Sequence, residues 1–86
     1  MHDTFLNQNL YDAIVNLCKE HSITKINHLE ITVHTNSHIS EGSIRECFTD
    51  RNNSQIGEWT DILVHKKEVE PLTATIDKID GEKTGE

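Results

Sequence analysis

Hydrophobic residues in the first part of the chain recur every three or four positions, the spacing of one face of an α-helix. The residues on this stripe are Phe5, Leu6, Leu10, Ala13, Ile14, Leu17 and Cys18. Asp3 and Thr4 precede the stripe and are suitable N-cap residues. Lys19 and His21 place positive charge in the last turn, where the helix dipole favours it. The pattern predicts a first helix that stops near His21-Ser22.

A period of two then replaces the helical period. Leu29, Ile31 and Val33 alternate with polar residues, which predicts a strand with one buried and one solvated face, and Ile26 leads into it. Residues 35–38 are polar and predict a loop. A second, shorter helix follows from about residue 41 to residue 49. Its N-cap is Ser40 and its apolar face consists of Ile44, Cys47 and Phe48.

Two more strands are predicted, at about residues 60–69 and 72–79, and Glu70-Pro71 between them predicts a hairpin. Trp59 is expected to form a partly buried lid ahead of the first of these strands. Residues 81–86 contain no apolar side chain and predict a disordered tail. The order helix-strand-helix-strand-strand predicts an α+β fold of two layers, with two helices packed on a three-stranded sheet. A chain of 86 residues has room for one such domain, at residues 1–80.

The charge balance restricts the classes of partner. Eight Lys and Arg against 15 Asp and Glu give a formal net charge of −7. This composition argues against binding to nucleic acid or to an anionic membrane surface and suits cations or basic protein surfaces. The chain has no signal-peptide pattern and no apolar run of transmembrane length, so we expect a cytoplasmic protein. Cys18 and Cys47 are far apart and have no CxxC spacing, so they predict neither a zinc site nor a secreted disulfide framework.

The start of the chain carries the most specific candidate chemistry. Met1-His2 offers a terminal amine, the amide nitrogen of His2 and the His2 imidazole, which can form fused chelate rings around one metal ion. Nitrogen donors in a plane suit Ni(II) or Cu(II). Asp3 could add an amide or a carboxylate, or a histidine could be brought near by folding. The alternative is that the sequence Met-His is accidental and the terminus has no role.

Other candidates are weaker. His34 and His38 are four apart, but the residues between them predict a loop, so a solvated loop is the favoured interpretation over a metal pair. His65 has the opposite parity to Ile62 and Val64 and should point to solvent. The two cysteines fall on apolar helical faces and are expected to act as small buried hydrophobes. No phosphate loop, nucleophile elbow or zinc-protease helix motif occurs, so we do not expect an enzyme.

The sequence resembles the HypA/HybF family of nickel-insertion proteins, whose members begin Met-His-Glu and continue with the same order of elements. The resemblance covers about residues 1–80. It is carried by Met1-His2-Asp3, by Leu17-Cys18-Lys19-Glu20-His21, by the strand from Ile26 to Val33, by Ser37 to Glu41 with Ile44 to Phe48, and by the segments 59–67 and 72–80.

Three departures accompany the resemblance. The two CxxC pairs of the family's zinc module are missing between the last two strands, so no structural zinc is expected. The first helix is about one turn longer than is usual for the family. Asp3 stands where the family has glutamate.

The resemblance implies a nickel metallochaperone for hydrogenase or urease maturation, which passes Ni(II) as cargo to an apo-metalloenzyme together with a maturation GTPase. It implies His2 as the main side-chain ligand, with Met1 and Asp3 contributing backbone groups. The alternative is a metal-free interaction module that kept the HypA-like fold, and pairing with a second copy through an exposed sheet edge stays open.

Overall fold

A computed structural model describes residues 2–71 and 73–83, with side chains from residue 8 onward. It contains helix α1 (His2–His21), strand β1 (Ile23–His34), helix α2 (Glu41–Asp50), strand β2 (Asp61–Lys67) and strand β3 (Ala74–Lys83). The two helices pack with one three-stranded mixed sheet. The predicted α+β class and the predicted order of elements are therefore confirmed.

The helices begin and end where local chemistry allows. α2 has a capping box at its start: the Ser40 hydroxyl accepts from the Ser43 amide, and the Ser43 hydroxyl accepts from the Ser40 amide. α1 ends at His21, and the next residue, Ser22, has a φ of 60° that turns the chain into β1. At its other end α1 begins at His2, so Asp3 and Thr4 lie inside the helix and the predicted N-cap there is wrong. An aspartate is also favourable in a first turn because of the helix dipole, so its presence does not fix the starting residue.

The hydrophobic core lies between the sheet and the helices. Its largest fully buried members come from α1 and α2 (Ile14, Cys18, Phe48), from β1 (Ile26, Leu29, Ile31, Val33) and from the loop before α2 (Ile39). Ile26 and Leu29 are three residues apart and yet both are fully buried. A register shift between Ile26 and His28 accounts for this, because an extra residue returns the alternation to the same face.

The sheet order is β2-β1-β3, so the predicted hairpin between the last two strands is wrong. β1 pairs in parallel with β2 and antiparallel with β3. Parallel pairing of β1 with β2 requires a crossover, and α2 lies in that connection. β1 is the longest strand and supplies most of the buried sheet residues, so it occupies the centre, whereas the more charged β2 and β3 take the edges.

The predicted disordered tail at residues 81–86 is also wrong for its first three residues. Gly81, Glu82 and Lys83 belong to β3 and pair with Ile26, Lys25 and Ile23. Backbone hydrogen bonds of a sheet do not require apolar side chains, and the absence of apolar residues therefore misled the prediction. Residues 84–86 and Leu72 lie outside the described residues.

Candidate functional site

The predicted terminal metal site lies at the beginning of α1. Met1 is outside the described residues, while His2 and Asp3 occupy the first turn of the helix and their side chains are not described. The first amide groups of a helix have no acceptor within the helix. Further along, α1 is fixed to the core through Leu10 and Ile14, which are 5% and 0% exposed. The structure thus places His2 and Asp3 in the first turn of a helix whose later turns are packed in the core.

The two histidines that were considered and not favoured as a metal pair, His34 and His38, fall at the end of β1 and in the loop that follows it. The Asn36 amide donates to His34 Nδ1 at 3.1 Å, a local turn contact that occupies this ring nitrogen. Among the side chains that the structure describes, at residues 8–71 and 73–83, no group of three or more His, Cys, Asp or Glu is arranged to hold a metal ion.

Three titratable side chains meet on the face of the sheet that points away from the helices. We call His28, Glu30 and His65 the outer-face cluster. His28 Nε2 donates to Glu30 Oε2 at 2.6 Å, and His65 Nε2 donates to Glu30 Oε1 at 3.3 Å. His28 and Glu30 share a face because they are two apart on β1, and His65 joins them because it is the register partner of Thr32. Both imidazoles thus share one carboxylate.

These contacts set the electrostatics of the cluster. The hydrogen bond from His28, followed by that from His65, lowers the pKa of the Glu30 carboxyl from its ordinary value. An ionised carboxylate only accepts hydrogen bonds, so the Nε2 atoms carry the protons in this arrangement. The cluster is therefore a carboxylate held between two hydrogen-bond donors. Beside it, the Thr32 hydroxyl donates to Asp77 Oδ2 at 2.5 Å from the register-shifted part of β3.

A groove of about 340 Å³ opens beside the first half of β2. We call it the β2 groove, and its lining residues are His28, Glu41, Arg45, Glu58, Thr60, Asp61, Ile62 and Leu63. Its wall is built by Arg45 of α2, which donates from Nη1 to Gly57 O at 2.7 Å and from Nη2 to Thr60 O at 2.6 Å. The Arg45 Nε donates to Glu41 Oε2 at 2.9 Å. This guanidinium therefore ties the loop before β2 to the second helix.

The loop is held from the other side by Thr60, which is 2% exposed. Its hydroxyl donates to Ile26 O at 2.6 Å and accepts from the Gly57 amide at 3.0 Å. With Arg45 engaged by Glu41, the carboxylates of Glu58 and Asp61 have no side-chain hydrogen bond or ion pair in the described structure. The β2 groove is thus acidic, and its chemistry favours a cationic group.

The two cysteines are free thiols, and Cys18 is buried while Cys47 is half-buried. Burial raises the pKa of the Cys18 thiol. Burial also raises the pKa of the Cys47 thiol, and the nearby Arg51 only partly opposes this effect. Neither thiol has the lowered pKa that marks a reactive nucleophile.

Sequence reasoning found the orientation of His65 but not the cluster or the groove. Parity predicted that His65 points away from Ile62, and the structure agrees, since His65 contacts Glu30 on the outer face. The register between β1 and β2 brings His65 next to Glu30, and this register cannot be read from the sequence pattern of either strand alone. Trp59, expected to be a partly buried lid, is 45% exposed and stacks with Lys25 Nζ at 5.0 Å from the ring centroid.

These features define a two-layer α+β domain with an uncovered polar sheet face and an acidic groove. Comparison with protein-family models, with curated proteins and with solved structures gives no match to the chain. The resemblance to HypA/HybF therefore stays a prediction. Among the described residues, no helix is long and apolar enough to cross a bilayer.

Proposed function

We propose that the protein is a nickel-binding, metallochaperone-like accessory protein, with Met1, His2 and Asp3 as the metal site. The observation that carries the proposal is the sequence of donors at the terminus, an amine, an amide nitrogen and an imidazole within two residues. It is supported by the position of His2 and Asp3 at the start of α1, whose later turns are packed in the core.

The chemistry of the site follows from its donors. Three nitrogen atoms in fused rings favour a square-planar or tetragonal ion, as Ni(II) and Cu(II) provide. The terminal amine ordinarily titrates at about pH 7.7–8.0, so it becomes a ligand near neutral pH without a large cost. Nickel is proposed as cargo and not as a structural ion, and no structural zinc is proposed.

The proposed biological role is delivery of Ni(II) in the cytoplasm to an apo-metalloenzyme of the hydrogenase or urease kind, together with a maturation GTPase. The net charge of −7 supports docking on basic protein surfaces and argues against nucleic acid and anionic membranes as partners. The protein would catalyse no reaction of its own.

A calorimetric titration of Ni(II) into the untagged chain tests the site. We expect one-to-one binding that is lost in His2→Ala and after acetylation of the terminal amine. His21→Ala is the matched control, because it removes an exposed histidine from the last turn of the same helix. Binding that survives acetylation, or that falls equally in the two histidine variants, would eliminate the terminal site.

A second candidate function is a metal-free protein-interaction module on the same fold. It is favoured by the uncovered outer face of the sheet, where Leu63 is 45% exposed beside the acidic groove. Affinity capture of a partner by the Leu63→Glu and Val69→Glu variants distinguishes specific binding at this face from nonspecific hydrophobic binding. Val69 is the control, since it is also exposed (37%) but lies beyond the end of β2. A partner bound by the Val69 variant and lost by the Leu63 variant would support the module. Equal retention by both variants would count against it.

A further inference from the structure

The two edges of the sheet differ in how well they are protected. β3 carries charges at Asp77, Lys78, Asp80, Glu82 and Lys83, and its pairing with β1 has three register shifts. Charge and irregularity of this kind block the addition of another strand. β2 instead pairs with β1 in seven consecutive register positions without a shift, and it contains the apolar run Ile62-Leu63-Val64. β2 also carries charge at Asp61, Lys66 and Lys67, but its unbroken register leaves it the less protected edge.

The outer edge of β2 has backbone groups available for another strand. In a parallel pair, alternate residues of a strand direct their N–H and C=O groups away from the neighbour. β1 lies on one side of β2, and the sheet ends on the other. An added strand would satisfy these groups with hydrogen bonds of the same kind that already hold the sheet.

On the outer face of the sheet, the sequence of β2 is complementary to itself in the antiparallel direction. A two-fold axis through Val64 places Asp61 opposite Lys67 of a second copy and Leu63 opposite His65 of that copy. All four side chains lie on the outer face, because they alternate with Ile62 and Val64. The symmetry repeats each pair, so two Asp–Lys pairs and two Leu–His pairs form together.

The charged members of these pairs are not used within the chain. In the described residues, neither Asp61 nor Lys67 makes a side-chain hydrogen bond or ion pair, and both are exposed. Asp61 also lines the acidic β2 groove, together with the unpaired Glu58. The basic end of a second β2 would thus arrive beside the acidic end of the first, where there is open space.

We propose that a second copy of this chain pairs antiparallel along the β2 edge, so that two three-stranded sheets join into one of six strands. Val64 lies on the two-fold axis, and the Asp61–Lys67 pairs fix the register. The outer-face clusters of the two copies then lie on one continuous sheet surface. This inference does not depend on the terminal metal site or on a heterologous partner.

Sedimentation equilibrium over a wide range of protein concentration tests the pairing. Asp61→Lys and Lys67→Asp each place like charges opposite one another twice, and we expect either variant to raise the dimer dissociation constant about tenfold. The double variant restores opposite charges and should return the constant to near the wild-type value. Glu20→Lys is the control for Asp61→Lys, because it makes the same change in net charge on the exposed end of α1.

Disulfide trapping provides a second measurement that does not depend on charge. In a Cys47→Ser background, Val64→Cys should form a disulfide dimer under mild oxidation, because residues opposite one another in a sheet lie about 4.5–5.5 Å apart. Val69→Cys should not form this disulfide dimer, because Val69 lies beyond the end of β2. A monomer at all concentrations would overturn the proposal. A dimer that Asp61→Lys weakens no more than Glu20→Lys would also overturn it, as would a Val64→Cys variant that is not trapped.

Discussion

Replacing Gly81 by alanine tests the pairing of the end of β3 with β1, where the expected tail proved to be strand. Gly81 lies opposite Ile26. A Cβ atom added at Gly81 would collide with the backbone carbonyl of Lys25 and would lie 2.9 Å from Ile23 Cγ2. The carbonyl belongs to the central strand and cannot rotate away, so the two strands would have to separate locally.

The magnitude follows from comparison with overpacked sites. Forcing a methyl group against a fixed neighbour costs about 1–3 kcal/mol. For a domain of this size, each kcal/mol corresponds to a change in Tm of roughly 4–8 °C. We therefore expect Gly81→Ala to lower Tm by on the order of 10 °C.

Gly42→Ala provides a matched control, for which the expected change in the free energy of unfolding has the opposite sign. Gly42 is in the first turn of α2, and the nearest atom to an added Cβ is Ser40 Oγ at 3.7 Å, an ordinary contact. Alanine there restricts the unfolded chain and should stabilise the protein by about 0.4–1 kcal/mol. Thermal unfolding followed by circular dichroism measures both variants. A Gly81→Ala variant whose Tm lies within a degree or two of the wild-type value would refute the pairing of Gly81 with β1. Residues 81–83 would then belong to the disordered tail that the sequence predicted.

The remaining predictions concern the buried hydroxyl and the outer-face cluster. Thr60→Val keeps the shape but leaves two backbone groups without their partner, so we expect a loss of about 1–3 kcal/mol in urea unfolding, with Thr60→Ser nearer to the wild type. An NMR titration of the Glu30 carboxyl should give a pKa below the ordinary glutamate value, and His28→Asn should raise it more than His65→Asn. Because the folded pKa lies below the unfolded one, the stabilisation from Glu30 is present above the unfolded pKa and is lost as pH falls through the folded pKa. Glu30→Gln should therefore flatten this acidic part of the stability profile, and an unchanged profile would contradict the assignment.

The parts of the fold that depend on local periodicity could be predicted from the sequence. The apolar stripe of α1, the alternation in β1 and the Ser40 cap each involve residues within a few positions, so helices and strands were identified in the right order. The neighbours in the sheet could not be predicted in this way. Glu70-Pro71 indicates a turn but not which edge the following strand will join, and the pairing of β3 with β1 depends on contacts some 50 residues apart.

The same division applies to the candidate sites. Parity alone places His28 and Glu30 together and directs His65 outward, but their meeting depends on the parallel register of β1 with β2. Arg45 illustrates the point more strongly, because nothing in its helical position predicts that it binds two carbonyls of a loop 12 and 15 residues away. Those two bonds hold the loop that lines one side of the β2 groove.

Helix α1, at whose start we propose the metal site, and strand β2, along which we propose the pairing, have different neighbours in the fold. Of the described elements, α1 contacts β1, β3 and α2 but not β2, whereas α2 is the helix that packs on β2. Pairing of two copies along β2 therefore adds no contact through the helix that begins with His2. We expect each chain of a dimer to bind one Ni(II) independently, so Asp61→Lys should weaken dimerisation and leave the nickel affinity unchanged. Loss of nickel binding in Asp61→Lys, with the fold intact by circular dichroism, would show instead that the metal is shared between the two copies.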